Sequence, residues 1–392
     1  MTAQSTRVFG ALDALRIELP SWGFANTGTR FGKFVQPEAA TSIEEKFADA
    51  AQVHALTGAT PTLALHVAWD LPGGLRDANK IRDLEAQHGV RAGSINPNLF
   101  EAQEYKFGSL CNPSAEIRRH AIDHVLESVS IAKALRSSDI SLWLADGSNY
   151  PGTQSIRRRI DWLAEALSEI HAALGDDQRL LVEYKPFEPA FYHTDLGDWG
   201  MALLMARAAG PKARVLVDTG HHYQGQNIEQ IVAWLLHETM LGGFHFNDRR
   251  YADDDLTLGS IDPYQIFRIF HEILSDPAAM ATTAFMVDQS HNLKGKMEAA
   301  VQTVVTAQEL FAKAALVDRQ RLAALQDECR LVEAEECLRG AFWFDVRPLV
   351  REWRASHGLP QDPLAALAAS GYVERIRRDR RERNAGSVTT YA

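Results

Sequence analysis

Eight short apolar, β-branched runs recur along this chain, each followed by a longer stretch with helical periodicity, and no other feature narrows the possible folds as much. The runs are RIELPSW (16–22), TLALHVAWD (62–70), VRAGSIN (90–96), ISLWLADG (140–147), RLLVEYKPF (179–187), ARVLVDTGHH (213–222), GGFHFND (242–248) and AFMVDQSHN (284–292). Between them, stretches such as SIEEKFADAAQVHALTG (42–58) and SAEIRRHAIDHVLESVSIAKAL (114–135) place apolar residues three and four apart, as an amphipathic helix requires. Parallel strands need helical crossovers, so an eightfold alternation predicts an α/β fold, a (β/α)8 TIM barrel. Residues 1–300 are the expected catalytic barrel. Residues 301–392 read as helices only, a C-terminal extension that either clasps a neighbouring subunit or packs on its own barrel. Its basic run RIRRDRRER (375–383) reads as a solvated helix face.

Active sites of such barrels lie at the C-terminal ends of the strands. Here those ends carry Trp22, His66, Trp143, Glu183 with Lys185, Asp218 with His221, His245, and Asp288 with His291. A lone histidine on an apolar strand is more often a satisfied core residue, and Asp218 before Thr-Gly could cap a helix. Glu183, however, sits in the apolar run LLVEYK, where an unpaired carboxylate is costly. Several such costs at neighbouring strand ends share one remedy: a divalent cation makes crowded carboxylates favourable. Oxygen-rich sets with one imidazole suit Mn, Mg or Co better than structural zinc. Glu183, Asp218, His245 and Asp288 are therefore expected to hold one ion. Asp253 and Asp255, two apart in a loop read as extended, are expected to face a second ion together with His221, while Asp254 points away as a solvent-facing bystander. Glu183 and Lys185 alternate onto one strand face, so a metal carboxylate and an ammonium would meet the same substrate. Pro186 and Pro189 are expected to end that strand.

The 41 basic and 51 acidic side chains give a formal net charge of −10, which argues against nucleic acid or an anionic membrane as partner. It also disfavours an AP-endonuclease-like phosphodiesterase, a possible occupant of this fold. No run approaches the ~20 apolar residues of a membrane span. Cys111, Cys329 and Cys337 lack CxxC spacing and suggest no disulfide framework, so a reducing cytoplasm is the expected setting.

At VEYKPFEPAFY, VDTGHH, GGFHFNDRRYADDDLTLGSIDPYQIF and MVDQSHN the sequence resembles the L-rhamnose isomerases of the Pseudomonas and actinobacterial type. The likeness extends from SWGFANTGTRFGKF and ALHVAWD through SINPNLF and LWLADGSNYPG to FDVRPLV and SGYVERI, and more distantly E-x-K-P-x-E-P and D-x-D-L-x-x-G resemble xylose isomerase. The resemblance implies a tetrameric barrel using two divalent cations per subunit, Mn2+ before Co2+ or Mg2+, to interconvert L-rhamnose and L-rhamnulose. It implies that Glu183, Asp218, His245 and Asp288 hold a substrate-anchoring metal and that His221, Asp253 and Asp255 hold a catalytic one. Lys185 and His66 would meet the sugar, and Trp22, Trp143 and Phe100 of a neighbouring subunit would form an apolar wall. Lys185, His221 and Asp288 are thus the expected catalytic residues, acting in a metal-assisted 1,2-hydride shift; a cis-enediol route with Asp288, Glu183 or a bound water as base is the rival mechanism. Alternative substrates are L-mannose, L-lyxose and D-allose. An alternative activity is ketose 3-epimerisation, which needs one metal and two glutamates on opposite faces of the sugar.

Overall fold

All eight expected strands form, and each is shorter than the apolar run that announces it. In the computed structural model, which describes residues 2–26, 34–148, 150–186, 194–291 and 293–385, the strands are β1 (Glu18–Pro20), β2 (Thr62–His66), β3 (Arg91–Asn96), β4 (Asp139–Leu142), β5 (Arg179–Glu183), β6 (Ala213–Asp218), β7 (Leu241–Phe246) and β8 (Ala284–Val287). Phe187 and Pro189, expected at the exit of the fifth strand, and Asn292, expected at the end of the eighth, lie outside the described residues. The strands pair in parallel and in order, and Glu18 beside Met286 closes them into a barrel. Helices of the outer ring begin at Ser42, Ser114, Ser155, Asp198, Asn227 and Asp262, each of whose side chains accepts the N–H three residues on.

Strand alternation then sorts the side chains. Leu180, Val182, Val215, Val217, Phe244 and Phe285 face the helices and join the main core. Leu181, Leu216 and Met286 face inward and form a separate apolar cluster with Ala284. Two residues further along the same inward rows come Glu183, Asp218 and Asp288, so this cluster is the floor beneath the polar strand ends. A Cβ on Gly243, the inward neighbour of His245, would come within 3.0 Å of Ala284. The bare backbone there lets β7 pass close to the floor.

Helix Lys296–Ala315 runs through residue 300, and five more helices follow, ending with Tyr372–Ala385. Among the described residues none is long and apolar enough to cross a membrane. In the last helix Arg375, Arg377, Arg378, Arg381 and Arg383 are exposed, as expected of a solvated basic face, and Arg380 departs from it. Arg380 is buried: its guanidinium pairs with Asp49 Oδ2 at 2.8 Å and donates to the Glu38 carbonyl, while the Tyr372 hydroxyl donates to Asp49 Oδ1 at 2.7 Å. The helix needs this pair because Asp49 lies on the inner side of helix Ile43–Thr57, where its charge has no water. Arg380→Met should therefore destabilise the protein by about 3–5 kcal/mol, since removing one partner strands the other. Exposed Arg378→Ala, in contrast, should cost less than about 0.5 kcal/mol. Urea unfolding of the two variants checks the contrast.

Candidate functional site

The polar strand ends open onto a cavity of about 360 Å³ lined by Trp22, His66, Trp143, Glu183, Lys185, His221, His245, Asp253, Asp255, Asp288 and Phe100. Asp218 lies beneath, fully buried. The structure thus gathers every expected site residue at one mouth of the barrel.

The cavity has a charged end and an aromatic end. At the charged end, Glu183 Oε1 lies 3.2 Å from His221 Nδ1 and 3.3 Å from His245 Nδ1. His221 Nδ1 is also 3.0 Å from the Tyr184 carbonyl, which can only accept, so this nitrogen carries a proton and Nε2 turns toward Asp253 Oδ2 at 3.3 Å. Lys185 Nζ sits 2.7 Å from that same Asp253 oxygen. Asp218 Oδ1 accepts from Gly220 N–H at 2.7 Å and Asn247 Nδ2 at 3.0 Å, whereas its buried Oδ2 accepts no hydrogen bond. Trp22 Nε1 donates to Asp288 Oδ1 at 2.8 Å, so this ring orients a carboxylate besides lining the cavity.

Burial and mutual repulsion set the protonation of this cluster. Burial, with Asp255, Asp218 and Glu183 nearby, pushes the Asp288 carboxyl up to about 6 even though His245 opposes the shift. Burial likewise raises Asp218. Burial alone would raise Glu183 and lower His245, but the two charges answer each other: Glu183 is held below the usual carboxylate range and His245 is pushed up to about 10.

At this end of the cavity two sets of donor atoms, each within 4.8 Å of one another, could hold an ion: Glu183, Asp218 and His221, and Asp218, His245 and Asp288. Both combine two carboxylates with one imidazole, a set suited to a hard or borderline divalent cation. The hydrogen-bond-free Oδ2 of Asp218, common to both, fits that use. Asp218, His245 and Asp288 belong to the set expected for one ion, while His221, whose Nδ1 faces Glu183, turns its Nε2 to Asp253 of the set expected for the second.

Loop geometry corrects the reading of Asp253–Asp255. Asp248 and Leu256 form a two-way backbone bridge that pinches the loop, and Asp255 adopts φ +50°, so the segment is not extended. Asp254 is no bystander: its Oδ2 accepts the N–H groups of Arg250 and Tyr251 at 2.6 and 2.9 Å and closes the turn that presents its neighbours.

At the aromatic end, His66 stacks on Trp69 with ring centroids 3.7 Å apart, and Trp22, Phe100 and Trp143 meet this pair edge-on or one another. Burial, with Lys46 and His124 adding to it, lowers His66 to about 3, so the imidazole is neutral. Lys185 Nζ lies 5.2 Å over the Trp143 ring and joins the two ends. Phe100 reaches the cavity of its own chain rather than a neighbour's. Asn98 causes this: its Oδ1 accepts the N–H of Phe100 and Glu101, its own N–H donates to His124, and the loop folds back over β3. Trp69 is a cavity residue that the sequence reading does not name, although its spacing from His66, three residues apart around the short helix Val67–Asp70, is the available signal. Asn96, Ser141 and Ser290 also line the cavity without a prior signal.

Residues 60–282 match the sequence profile of the xylose isomerase-like TIM barrel family. A probable sugar isomerase of Rhizobium meliloti is 40% identical over 94% of this chain and 86% of its own length. One from Mesorhizobium japonicum is 38% identical over 96% and 90%. Among solved structures, the 3-keto-D-glucoside 4-epimerase of E. coli superposes with TM-score 0.54 at 11% identity, covering 74% of this chain and 98% of that one. An L-ribulose 3-epimerase gives 0.53 at 16%, covering 79% and 97%. At such identities the likeness is one of fold.

Proton competition makes cation binding here pH-dependent. Asp288 is protonated below about 6 and His245 carries a proton that a bound cation must displace. Titration calorimetry with Mn2+ should therefore show net proton release at pH 7.5 and weaker binding as pH falls toward 5. Asp218→Ala, removing the shared ligand, should abolish binding, whereas Asp254→Asn, which keeps an acceptor oxygen for the turn, should change affinity by less than about threefold.

Proposed function

The chain belongs to the xylose isomerase-like TIM barrel family, and from that premise we propose that it is a cation-dependent aldose–ketose isomerase converting L-rhamnose to L-rhamnulose. That it acts on sugars as an isomerase or epimerase follows from the family and its relatives; the sugar and the reaction are our reading. The observation that carries it is the division of one cavity into an ion-binding end and an aromatic end, bridged by Lys185.

Glu183, Asp218, His221, His245 and Asp288, with Asp253 and Asp255 beside them, would hold divalent cations, which supply Lewis-acid polarisation of the sugar carbonyl and adjacent hydroxyl. Lys185 offers its ammonium to O1, the atom that gains negative charge as hydrogen moves from C2 to C1. Trp22, Trp69, Phe100 and Trp143 exclude water from that transfer, which favours a direct 1,2-hydride shift over exchange through a cis-enediol. Neutral His66 can accept or donate a hydrogen bond at a sugar hydroxyl. The aromatic wall suits the C6 methyl of a 6-deoxy sugar. A C6 hydroxyl left there without a partner would cost about 1–3 kcal/mol, a disadvantage for L-mannose of roughly 5- to 150-fold. Among the described residues lining the cavity Glu183 is the only glutamate, which supports isomerisation over 3-epimerisation with its two glutamates. The same reading carries two cations per subunit, Mn2+ before Co2+ or Mg2+, a homotetramer clasped by residues 301–392, and a cytoplasmic setting.

Protein stripped with EDTA should be inactive and regain activity with Mn2+, turning over L-rhamnose faster than L-mannose, L-lyxose, D-allose or D-xylose. In deuterated water, L-rhamnulose should form without solvent deuterium at C1. Chelator-insensitive turnover or a preference for D-xylose overturns the proposal; stoichiometric deuterium overturns the hydride shift.

A further inference from the structure

Outside the cavity, one fully buried guanidinium has each of its three nitrogens bonded to the loops that form the site. Arg159, on helix Ile156–Ala172, is completely buried. Its Nε and Nη2 grip both oxygens of Asp195 at 2.8–3.1 Å, and its Nη1 donates to the carbonyls of Phe107 and Cys111 at 3.3 and 3.2 Å and to Gln154. Asp195 in turn donates its N–H to the Asp146 carbonyl at 2.7 Å. The Asp146 carboxylate accepts the N–H groups of Ser109 and Cys111 at 2.8 and 2.7 Å and the Ser109 hydroxyl. The loop after β3, the loop after β4 and the segment entering helix Trp199–Ala209 are thereby fastened to one side chain.

Lys185 depends on that fastening at both of its backbone groups. Its N–H donates to the Leu196 carbonyl at 2.9 Å, and its carbonyl accepts the Thr194 hydroxyl. Leu196 and Thr194 flank Asp195, the residue Arg159 holds. We propose that Arg159, through Asp195, is the positioning residue that sets where the Lys185 ammonium stands above the Trp143 ring and beside Asp253. This proposal rests on the isomerase reading, in which Lys185 meets O1. A planar fork with five donors can serve two carbonyls and a carboxylate at once, which a lysine ammonium at the same place cannot.

A displacement of Lys185 by about 1 Å lowers turnover by roughly 100-fold while leaving ground-state sugar binding largely to the other cavity residues. Arg159→Lys and Asp195→Asn in the cation-loaded full chain should thus lower kcat about 10- to 100-fold with KM changed less than about threefold. Amide hydrogen exchange at Lys185, read by mass spectrometry, should quicken in both. Thr194→Val, which removes only the hydroxyl on the Lys185 carbonyl, should give a smaller loss of the same pattern, and it decides the matter if the buried variants do not fold. Folded variants with wild-type kcat and unchanged exchange at Lys185 overturn the proposal, even if their Tm falls. Wild-type protein inactive on every aldose overturns the isomerase reading instead, while the exchange measurement still tests the clamp.

Discussion

Three carboxylates crowded at one barrel mouth repel one another, and most of the site can be read as the answer to that repulsion. Two unit charges about 5 Å apart at an effective dielectric near 20 cost about 3 kcal/mol. Glu183, Asp218 and Asp288 end the inward rows of β5, β6 and β8 above a floor of Leu181, Leu216 and Met286, so water from below cannot relieve them. Two imidazoles and an ammonium stand among them, and the strain that remains shows in the raised Asp218 and Asp288 carboxyls. Carboxylates crowded at strand ends in this way could hold a cation.

The aromatic end is tied to the charged end through hydrogen bonds as much as by contact. Trp22 holds Asp288, and Asp70 accepts both the Ser21 hydroxyl and the His66 N–H while Lys46 neutralises it. The exits of β1 and β2 are therefore locked together beneath the rings. A shift in either wall residue would be felt at a carboxylate.

Much of this was legible in the sequence because two periodicities carry it. The alternation of apolar runs with helical stretches announced the barrel, and the position of Glu183, Asp218, His245 and Asp288 at run ends placed them on one face. What escaped reading depends on loops, where no period operates. The left-handed Asp255 and the turn closed by Asp254 follow from the Asp248–Leu256 bridge, a pairing that spacing does not reveal. His221 also touches Glu183 through Nδ1 while its Nε2 meets Asp253, a double contact that spacing does not reveal. Phe100 was assigned to another subunit, since nothing in SINPNLF shows that Asn98 folds the segment inward. Arg380 is the buried arginine of an otherwise exposed basic run because Asp49, more than three hundred residues earlier, stands opposite it, a pairing no local pattern reveals.

The apolar floor has a consequence for traffic. Met286 and Ala284 also border the shallow pocket at the opposite end of the barrel, and together with Leu181 and Leu216 they keep the two openings apart. The barrel is a blind tube. A sugar must enter and leave by the same mouth, so a bound molecule bars the way to the next, and each passage ends before another begins.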